Sequence, residues 1–123
     1  MKETKKMLIV DDEETLTYSL YQSFILSQKN YEVVTAASGE EASKKLENEN
    51  FNLVITDISM PGMSGLELLA QIKMKYPNTE VIIMTAYGSE EKKDEAISKG
   101  ARHYIEKPFE IKEMKQLVMN ILQ

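Results

Sequence analysis

The sequence contains no cysteine. Disulfide bonds, thiolate nucleophiles and cysteine-ligated zinc are therefore excluded, and a reducing compartment is compatible with the chain. Its one histidine, His103, is expected to have a structural or exposed role. No apolar run approaches the roughly 20 residues that cross a bilayer, and the run at residues 7–10 is too short for a signal peptide. We therefore expect no membrane partner and a cytoplasmic location.

Positive charge is also scarce. The formal net charge is −5, and no cluster of lysine and arginine is large enough to form a nucleic-acid-binding face. Direct binding of nucleic acid by this chain is therefore not expected. The 123 residues, of which 42% are hydrophobic and 28% charged, fit one globular domain with a buried core. We predict a single domain over residues 1–123.

Five short apolar runs alternate with helix-like segments. Several of the runs are continuous rather than alternating, which is typical of parallel strands buried on both faces. Asn30 and Gly100 precede the second and fifth runs, and each is expected to adopt a left-handed conformation after a helix. The order (βα)₅ predicts an α/β fold with a doubly wound parallel sheet. The runs are residues 7–10, 31–36, 53–55, 81–84 and 101–105.

The helical segments carry recognisable start signals and an apolar face. Ser38 with Glu41, and Ser64 with Glu67, have the spacing of capping boxes. The last segment has apolar residues at helical spacing, which predicts that one face of it packs on the sheet. That stripe consists of Ile111, Met114, Val118 and Ile121.

Reactive side chains gather after four of the predicted strands. They are Asp11, Asp12, Asp57, Thr85 and Lys107. The carboxyl ends of parallel strands lie along one edge of the sheet, where such folds bind ligands. Three carboxylates crowded at that edge repel one another, and a hard divalent cation relieves the repulsion. Because all-oxygen ligation suits Mg²⁺, the sequence predicts a magnesium site.

A carboxylate can act as a nucleophile toward phosphorus and form an aspartyl-phosphate. Asp57 is the candidate nucleophile, while the ammonium group of Lys107 and the hydroxyl of Thr85 are suited to compensate charge on phosphoryl oxygens. No glycine-rich loop of the nucleotide-binding type is present. Taken singly, these residues also have ordinary readings: an aspartate at a helix start is usually a cap, and most lysines are surface charges.

Four segments resemble those of bacterial response-regulator receiver domains. Residues 8–13 (LIVDDE) are similar to the first strand and acidic pair of that family, and residues 57–65 (DISMPGMSG) to its phosphoacceptor loop. Residues 83–86 (IMTA) resemble its switch-threonine segment, and residues 106–109 (EKPF) its lysine–proline motif. The resemblance extends over essentially the whole chain. It implies a flavodoxin-like three-layer sandwich with strand order 2-1-3-4-5.

The resemblance also implies roles for residues at the metal site. Asp57 is expected to be the phosphoacceptor and a Mg²⁺ ligand. Asp12 is expected to bind Mg²⁺ directly and Asp11 partly through water, and the backbone carbonyl of Ser59 is expected to be a further ligand.

Further roles implied by the resemblance concern the response to phosphorylation. Thr85 is expected to move toward the phosphoryl group, and Tyr104 to follow by changing rotamer. Lys107 is expected to pair with the phosphate, and the Lys107–Pro108 bond to be cis. The switch is expected to alter the surface of the fourth and fifth α/β units.

The resemblance implies partners as well. The phosphodonor is expected to be a sensor histidine kinase or a histidine phosphotransfer protein, and the surface formed by the fourth helix, fifth strand and fifth helix is expected to bind an effector domain or a second copy of the chain. The protein is not expected to be an enzyme beyond catalysing its own phosphorylation and slow dephosphorylation. Two alternatives remain open on the residues: a small aspartate-dependent phosphohydrolase, and a degenerate receiver acting as a constitutive interaction domain.

Overall fold

The computed structural model describes residues 4–27 and 30–123. Strands and helices alternate along this part of the chain, as the apolar runs predict. The strands are β1 (Lys5–Val10), β2 (Tyr31–Ala36), β3 (Leu53–Asp57), β4 (Glu80–Thr85) and β5 (His103–Glu106). The helices are α1 (Glu14–Ile25), α2 (Gly39–Asn48), α3 (Gly65–Lys75), α4 (Glu90–Ser98) and α5 (Ile111–Leu122).

The five strands form one parallel sheet in the order β2-β1-β3-β4-β5. In register, Leu8 of β1 lies between Val34 of β2 and Val54 of β3. The predicted α/β fold and its strand order are therefore confirmed. Because the order reverses beside β1, the carboxyl ends of β1 and β3 border the crevice where doubly wound sheets bind ligands.

Two apolar cores cover the two faces of the sheet. On one face, alternate strand residues such as Leu8 and Ile83 pack with side chains of α2, α3 and α4. On the other, residues such as Ile9 and Ile55 pack with side chains of α1 and α5. Helices on both faces explain why the strand sequences are continuous apolar runs. In the part of the chain that the structure describes, no helix has the length and apolar character to cross a membrane.

The two predicted capping boxes differ. At α3, the Ser64 hydroxyl accepts from the Glu67 amide, and the Glu67 carboxylate accepts from the Ser64 amide, so this box is confirmed. At α2, Ser38 caps the Glu41 amide, but Glu41 accepts from the amide of Ala37, one residue further back. The reciprocal box predicted at α2 is therefore wrong, although both side chains still satisfy free amides at the start of the helix.

Chain reversals before two strands also differ from the sequence prediction. Gly100 has φ +109° just after α4, as expected of a residue that ends a helix. Asn30 does not have a positive φ, so its predicted left-handed conformation is wrong. Its carbonyl oxygen accepts from the Lys5 amide, and its side-chain amide donates to the hydroxyl of Thr4. These contacts hold Asn30 in line with the sheet.

Candidate metal and phosphoacceptor site

The ends of the strands bring the predicted site residues to one edge of the sheet. Asp11 follows the last residue of β1, Asp57 ends β3, Thr85 ends β4, and Lys107 follows β5. Asp11, Asp57 and Thr85 are buried, whereas Asp12 is exposed. The edge therefore forms a polar pocket with one carboxylate at its rim and two on its floor.

The three carboxylates are close enough to share an ion. One carboxylate oxygen from each of Asp11, Asp12 and Asp57 lies within 4.8 Å of the others. Three oxygen donors at this spacing, one of them open to water, form the donor set that a hard divalent cation prefers. The residues present therefore fit Mg²⁺.

Lys107 provides the positive charge in the pocket. Its Nζ lies 2.8 Å from Oδ2 of Asp11, 3.4 Å from Oδ2 of Asp57 and 3.7 Å from Oε1 of Glu13. The lysine thus pairs more closely with Asp11 than with Asp57. The Lys107–Pro108 peptide bond is cis, as the family resemblance implies. The backbone amide of Lys107 donates to the Thr85 carbonyl oxygen at 2.7 Å, and this hydrogen bond attaches the backbone of Lys107 to the end of β4.

Burial and pairing act in opposite directions on these charges. Burial raises the pKa of Asp11 above its usual 3.8, and the hydrogen bonds from Lys107 and from the Glu13 amide oppose that rise without cancelling it. Burial lowers the pKa of Lys107, but the hydrogen bond to Asp11 and the charges of Asp11 and Asp57 outweigh it, so this pKa is raised above 10.5. The pocket therefore keeps a protonated lysine to balance carboxylates that are poorly solvated.

The loop between β3 and α3, residues 58–64, carries the predicted ligand Ser59. The Ser59 amide is 3.4 Å from Oδ1 of Asp57, and the neighbouring side chains of Ile58 and Met60 are buried in the core. Gly65 closes the base of the loop, because a Cβ there would stand 2.1 Å from the Asp57 carbonyl oxygen. The first half of the loop is thus held by packing, with the exposed Ser59 between two buried neighbours.

The two predicted switch residues meet at Gly88. A Cβ on Gly88 would stand 2.7 Å from the hydroxyl oxygen of Tyr104 and 3.2 Å from Cγ2 of Thr85. The Thr85 hydroxyl accepts from the Tyr87 amide at 3.2 Å, and no hydrogen bond joins it to Asp57 within residues 4–27 and 30–123. The Tyr104 hydroxyl is buried and has no hydrogen-bond partner among the described residues.

Sequence reasoning missed Gly88 and Glu13. Gly88 lies between β4 and α4, and a glycine at this position leaves room for the inward-facing Tyr104. A glycine soon after the fourth strand is the sequence signal that could have identified this contact. Glu13 follows the acidic pair directly, and its amide donates to Oδ1 of Asp11 at 2.9 Å. Its own carboxylate lies 3.7 Å from the ammonium nitrogen of Lys107, third after those of Asp11 and Asp57.

Comparison with known proteins identifies the family. Residues 7–119 match the family model described as the response regulator receiver domain. The chain is 41% identical over 113 residues to the response regulator protein FleR of Pseudomonas aeruginosa, covering 92% of this chain and 24% of that protein. It is 36% identical over 118 residues to the sporulation initiation phosphotransferase F of Bacillus subtilis, covering 96% of this chain and 94% of that protein.

A solved structure agrees with these similarities. The response regulator protein TrrA from Thermotoga maritima, determined in complex with Mg²⁺ and BeF, superposes with a TM-score of 0.83 at 39% identity, over 96% of this chain and 99% of that one. The chain belongs to the response-regulator receiver domain family. It spans about a quarter of the length of FleR but nearly all of the phosphotransferase. Neither alternative function considered from the sequence is favoured by these similarities.

Proposed function

We propose that this receiver domain accepts a phosphoryl group on Asp57, in a Mg²⁺-dependent reaction, from the phosphohistidine of a sensor kinase or phosphotransfer protein. The observation that carries the proposal is the pocket itself. Asp57 ends β3 beside two further carboxylates, and the Lys107 ammonium group lies 3.4 Å from its Oδ2. A carboxylate held among acidic oxygens and one lysine is suited to attack phosphorus.

In the proposed reaction, a carboxylate oxygen of Asp57 forms the new bond to phosphorus. The bond from phosphorus to the donor's imidazole nitrogen breaks, and the imidazole leaves with a proton from solvent. Lys107 is already aimed at Oδ2 of Asp57 and can turn from Asp11 toward the phosphoryl oxygens. Its charge, together with the Thr85 hydroxyl, compensates negative charge that develops on those oxygens.

The metal is assigned to the ligands predicted from the sequence. We expect Asp11, Asp12 and Asp57 to bind Mg²⁺, with the Ser59 carbonyl as a further ligand. When bound, Mg²⁺ neutralises the carboxylates and the transferred group. The carboxylate spacing supports this assignment, and so does the Mg²⁺ present in the complex of the related TrrA.

Thr85 and Tyr104 are the proposed switch. If Thr85 turns toward the phosphoryl group, the space beside Cγ2 of Thr85 changes, and Tyr104 is the side chain that adjoins it across Gly88. Since the Tyr104 hydroxyl has no hydrogen-bond partner in the part of the chain that the structure describes, its movement breaks no hydrogen bond. The expected result of the switch is a change in the α4-β5-α5 surface. We expect this surface to bind an effector domain or a second copy of the chain.

The partner that delivers the phosphoryl group is expected to dock beside Lys107. A groove of about 480 Å³ opens there, lined by apolar side chains that include Leu16, Tyr87 and Phe109. Tyr87 is 78% exposed, so this surface offers apolar contact close to the pocket. We treat residues 1–123 as one receiver unit that acts on no foreign substrate. Its location in the cytoplasm, expected from the sequence, stays a prediction.

Intact-mass spectrometry tests the proposal. The protein is incubated with phosphoramidate, with and without Mg²⁺, beside the variant Asp57→Asn and the matched control Asp94→Asn, which changes an exposed aspartate on α4. We expect one added phosphate in the wild type and in Asp94→Asn, only when Mg²⁺ is present, and none in Asp57→Asn. Equal labelling of Asp57→Asn would refute the acceptor assignment. Release of many equivalents of phosphate would instead support the phosphohydrolase alternative.

A further inference from the structure

The two halves of the phosphoacceptor loop, residues 58–64, contact different parts of the molecule. Ile58 and Met60 hold the first half by burial in the core. Beyond them, Gly62 and Met63 form the tip of the loop. The Met63 amide donates a hydrogen bond of 2.9 Å to Oε2 of Glu40, a residue in the first turn of α2.

Two glycines make this contact possible. Gly62 has φ +77°, a conformation that favours glycine, and a Cβ there would stand 2.5 Å from Oε2 of Glu40. On the other side, a Cβ on Gly39 would stand 2.8 Å from Cβ and 2.9 Å from the carbonyl oxygen of Met63. The start of α2 and the tip of the loop are therefore in close contact at two successive positions of each segment.

The start of α2 is itself firmly anchored, so it can act as a fixed support. The Ser38 hydroxyl accepts from the Glu41 amide at 3.0 Å, and Oε1 of Glu41 accepts from the Ala37 amide at 3.0 Å. The Lys45 ammonium group lies 3.1 Å from Oε2 of Glu41. These contacts fix the backbone that carries Glu40 to the end of β2.

We propose that Glu40 is a positioning residue: its hydrogen bond to the Met63 amide holds the phosphoacceptor loop in the conformation that binds Mg²⁺. The argument rests on the function proposed above. Ser59, the loop's predicted ligand, is exposed between the buried Ile58 and Met60, and only two residues separate Met60 from Met63, whose amide Glu40 holds. Without the bond to Met63, the backbone that follows Met60 loses a support. The Ser59–Met60 peptide, which carries the predicted carbonyl ligand, then samples more orientations that metal binding must order.

Isothermal titration with Mg²⁺ tests this role, using the full chain and three variants. Glu40→Ala removes the acceptor, Glu40→Gln keeps an oxygen that can accept from Met63, and Glu47→Ala removes an exposed glutamate from the same helix as a matched control. The Mg²⁺ requirement for labelling by phosphoramidate is measured on the same proteins. Urea unfolding verifies that each variant is folded.

We expect Glu40→Ala to weaken Mg²⁺ binding by about threefold to tenfold, the range for loss of one hydrogen bond of ordinary net strength. Glu40→Gln and Glu47→Ala are expected to stay within about twofold of the wild type, since neither removes that hydrogen bond. The Met63 amide should exchange with solvent faster in Glu40→Ala than in Glu40→Gln.

Unchanged Mg²⁺ affinity in a folded Glu40→Ala would overturn the inference while leaving the proposed function intact. Equal weakening in Glu40→Gln would also overturn it, because the cause would then be the charge of Glu40 rather than its hydrogen bond. If the wild type neither bound Mg²⁺ nor accepted phosphate, the proposed function itself would fail, and the role of Glu40 with it.

Discussion

The two edges of the sheet both carry ion pairs, but the pairs differ in how far their side chains are exposed to water. At the amino edge, where strands begin, Arg102 pairs with Glu80 at 2.6 Å, and their side chains are 49% and 33% exposed. At the carboxyl edge, Lys107 pairs with Asp11 at 2.8 Å, and theirs are 14% and 1% exposed. Water solvates the first pair, whereas the second depends on its own members for compensation. Burial, rather than distance, distinguishes a pocket from a surface ion pair.

Hydroxyl groups show the same contrast. Buried Thr79, next to the start of β4, donates to the Phe51 carbonyl oxygen at 2.8 Å. The Tyr104 hydroxyl, near the end of β4, is buried without a partner among the described residues. At the amino edge the buried Thr79 hydroxyl is thus satisfied, which favours a single conformation. The carboxyl edge leaves one unsatisfied, which costs stability and makes a second conformation more accessible.

The largest expected effect comes from removing the lysine of the buried pair. We expect Lys107→Met to lower the free energy of unfolding by about 2–4 kcal/mol, because it leaves Asp11 buried without its partner. Arg102→Met at the amino edge is expected to cost less than about 1 kcal/mol. Urea unfolding at neutral pH compares the two. Similar losses in both variants would mean that the edges do not differ in the way proposed.

The hydroxyl comparison is expected to give an intermediate effect. Thr79→Val removes the donor to the Phe51 carbonyl oxygen and should cost about 1–2 kcal/mol of unfolding free energy. Tyr104→Phe removes a buried hydroxyl that has no hydrogen-bond partner among the described residues, so we expect it to leave the free energy of unfolding unchanged or to raise it by up to about 1 kcal/mol. Thermal unfolding of the two variants measures the difference. A larger loss for Tyr104→Phe than for Thr79→Val would show that the tyrosine hydroxyl is satisfied in solution.

The smallest effect is expected from a carboxylate that lies near the carboxyl edge but remains in water. The hydrogen bond from the Ala37 amide, with help from Lys45, holds the pKa of Glu41 below its usual 4.5. A carboxyl group whose pKa is lower in the folded state stabilises the fold above its unfolded pKa, and the contribution is lost as pH falls through the folded pKa.

Unfolding of Glu41→Gln and of the wild type at different pH values measures this contribution. The side chain of Glu41 is 44% exposed. We therefore expect the variant to be less stable by no more than about 0.5 kcal/mol at about pH 7, and the difference to disappear as pH falls below the folded pKa. A constant difference across that range would show that the carboxylate charge has no part in it.

Much of the fold could be predicted because its signals are local. Continuous apolar runs and helix start signals predict the five strands and helices, and the order of elements limits how they can assemble. The least accurate predictions concerned single residues at chain reversals. Asn30 lacks the left-handed conformation because its contacts with Thr4 and Lys5 hold it beside β1, and these contacts are not visible in the adjacent sequence.

The sequence by itself determined which residue types meet at the carboxyl edge, since parallel strands place their ends together whatever the loops do. Only the tertiary structure decided which of those side chains form hydrogen bonds and ion pairs with one another. Lys107 lies closer to Asp11, 96 positions away, than to Asp57, and Glu40 reaches Met63 across 23 positions. Such pairings depend on how helices pack and loops close over the sheet, whereas periodicity and caps depend only on near neighbours in the chain.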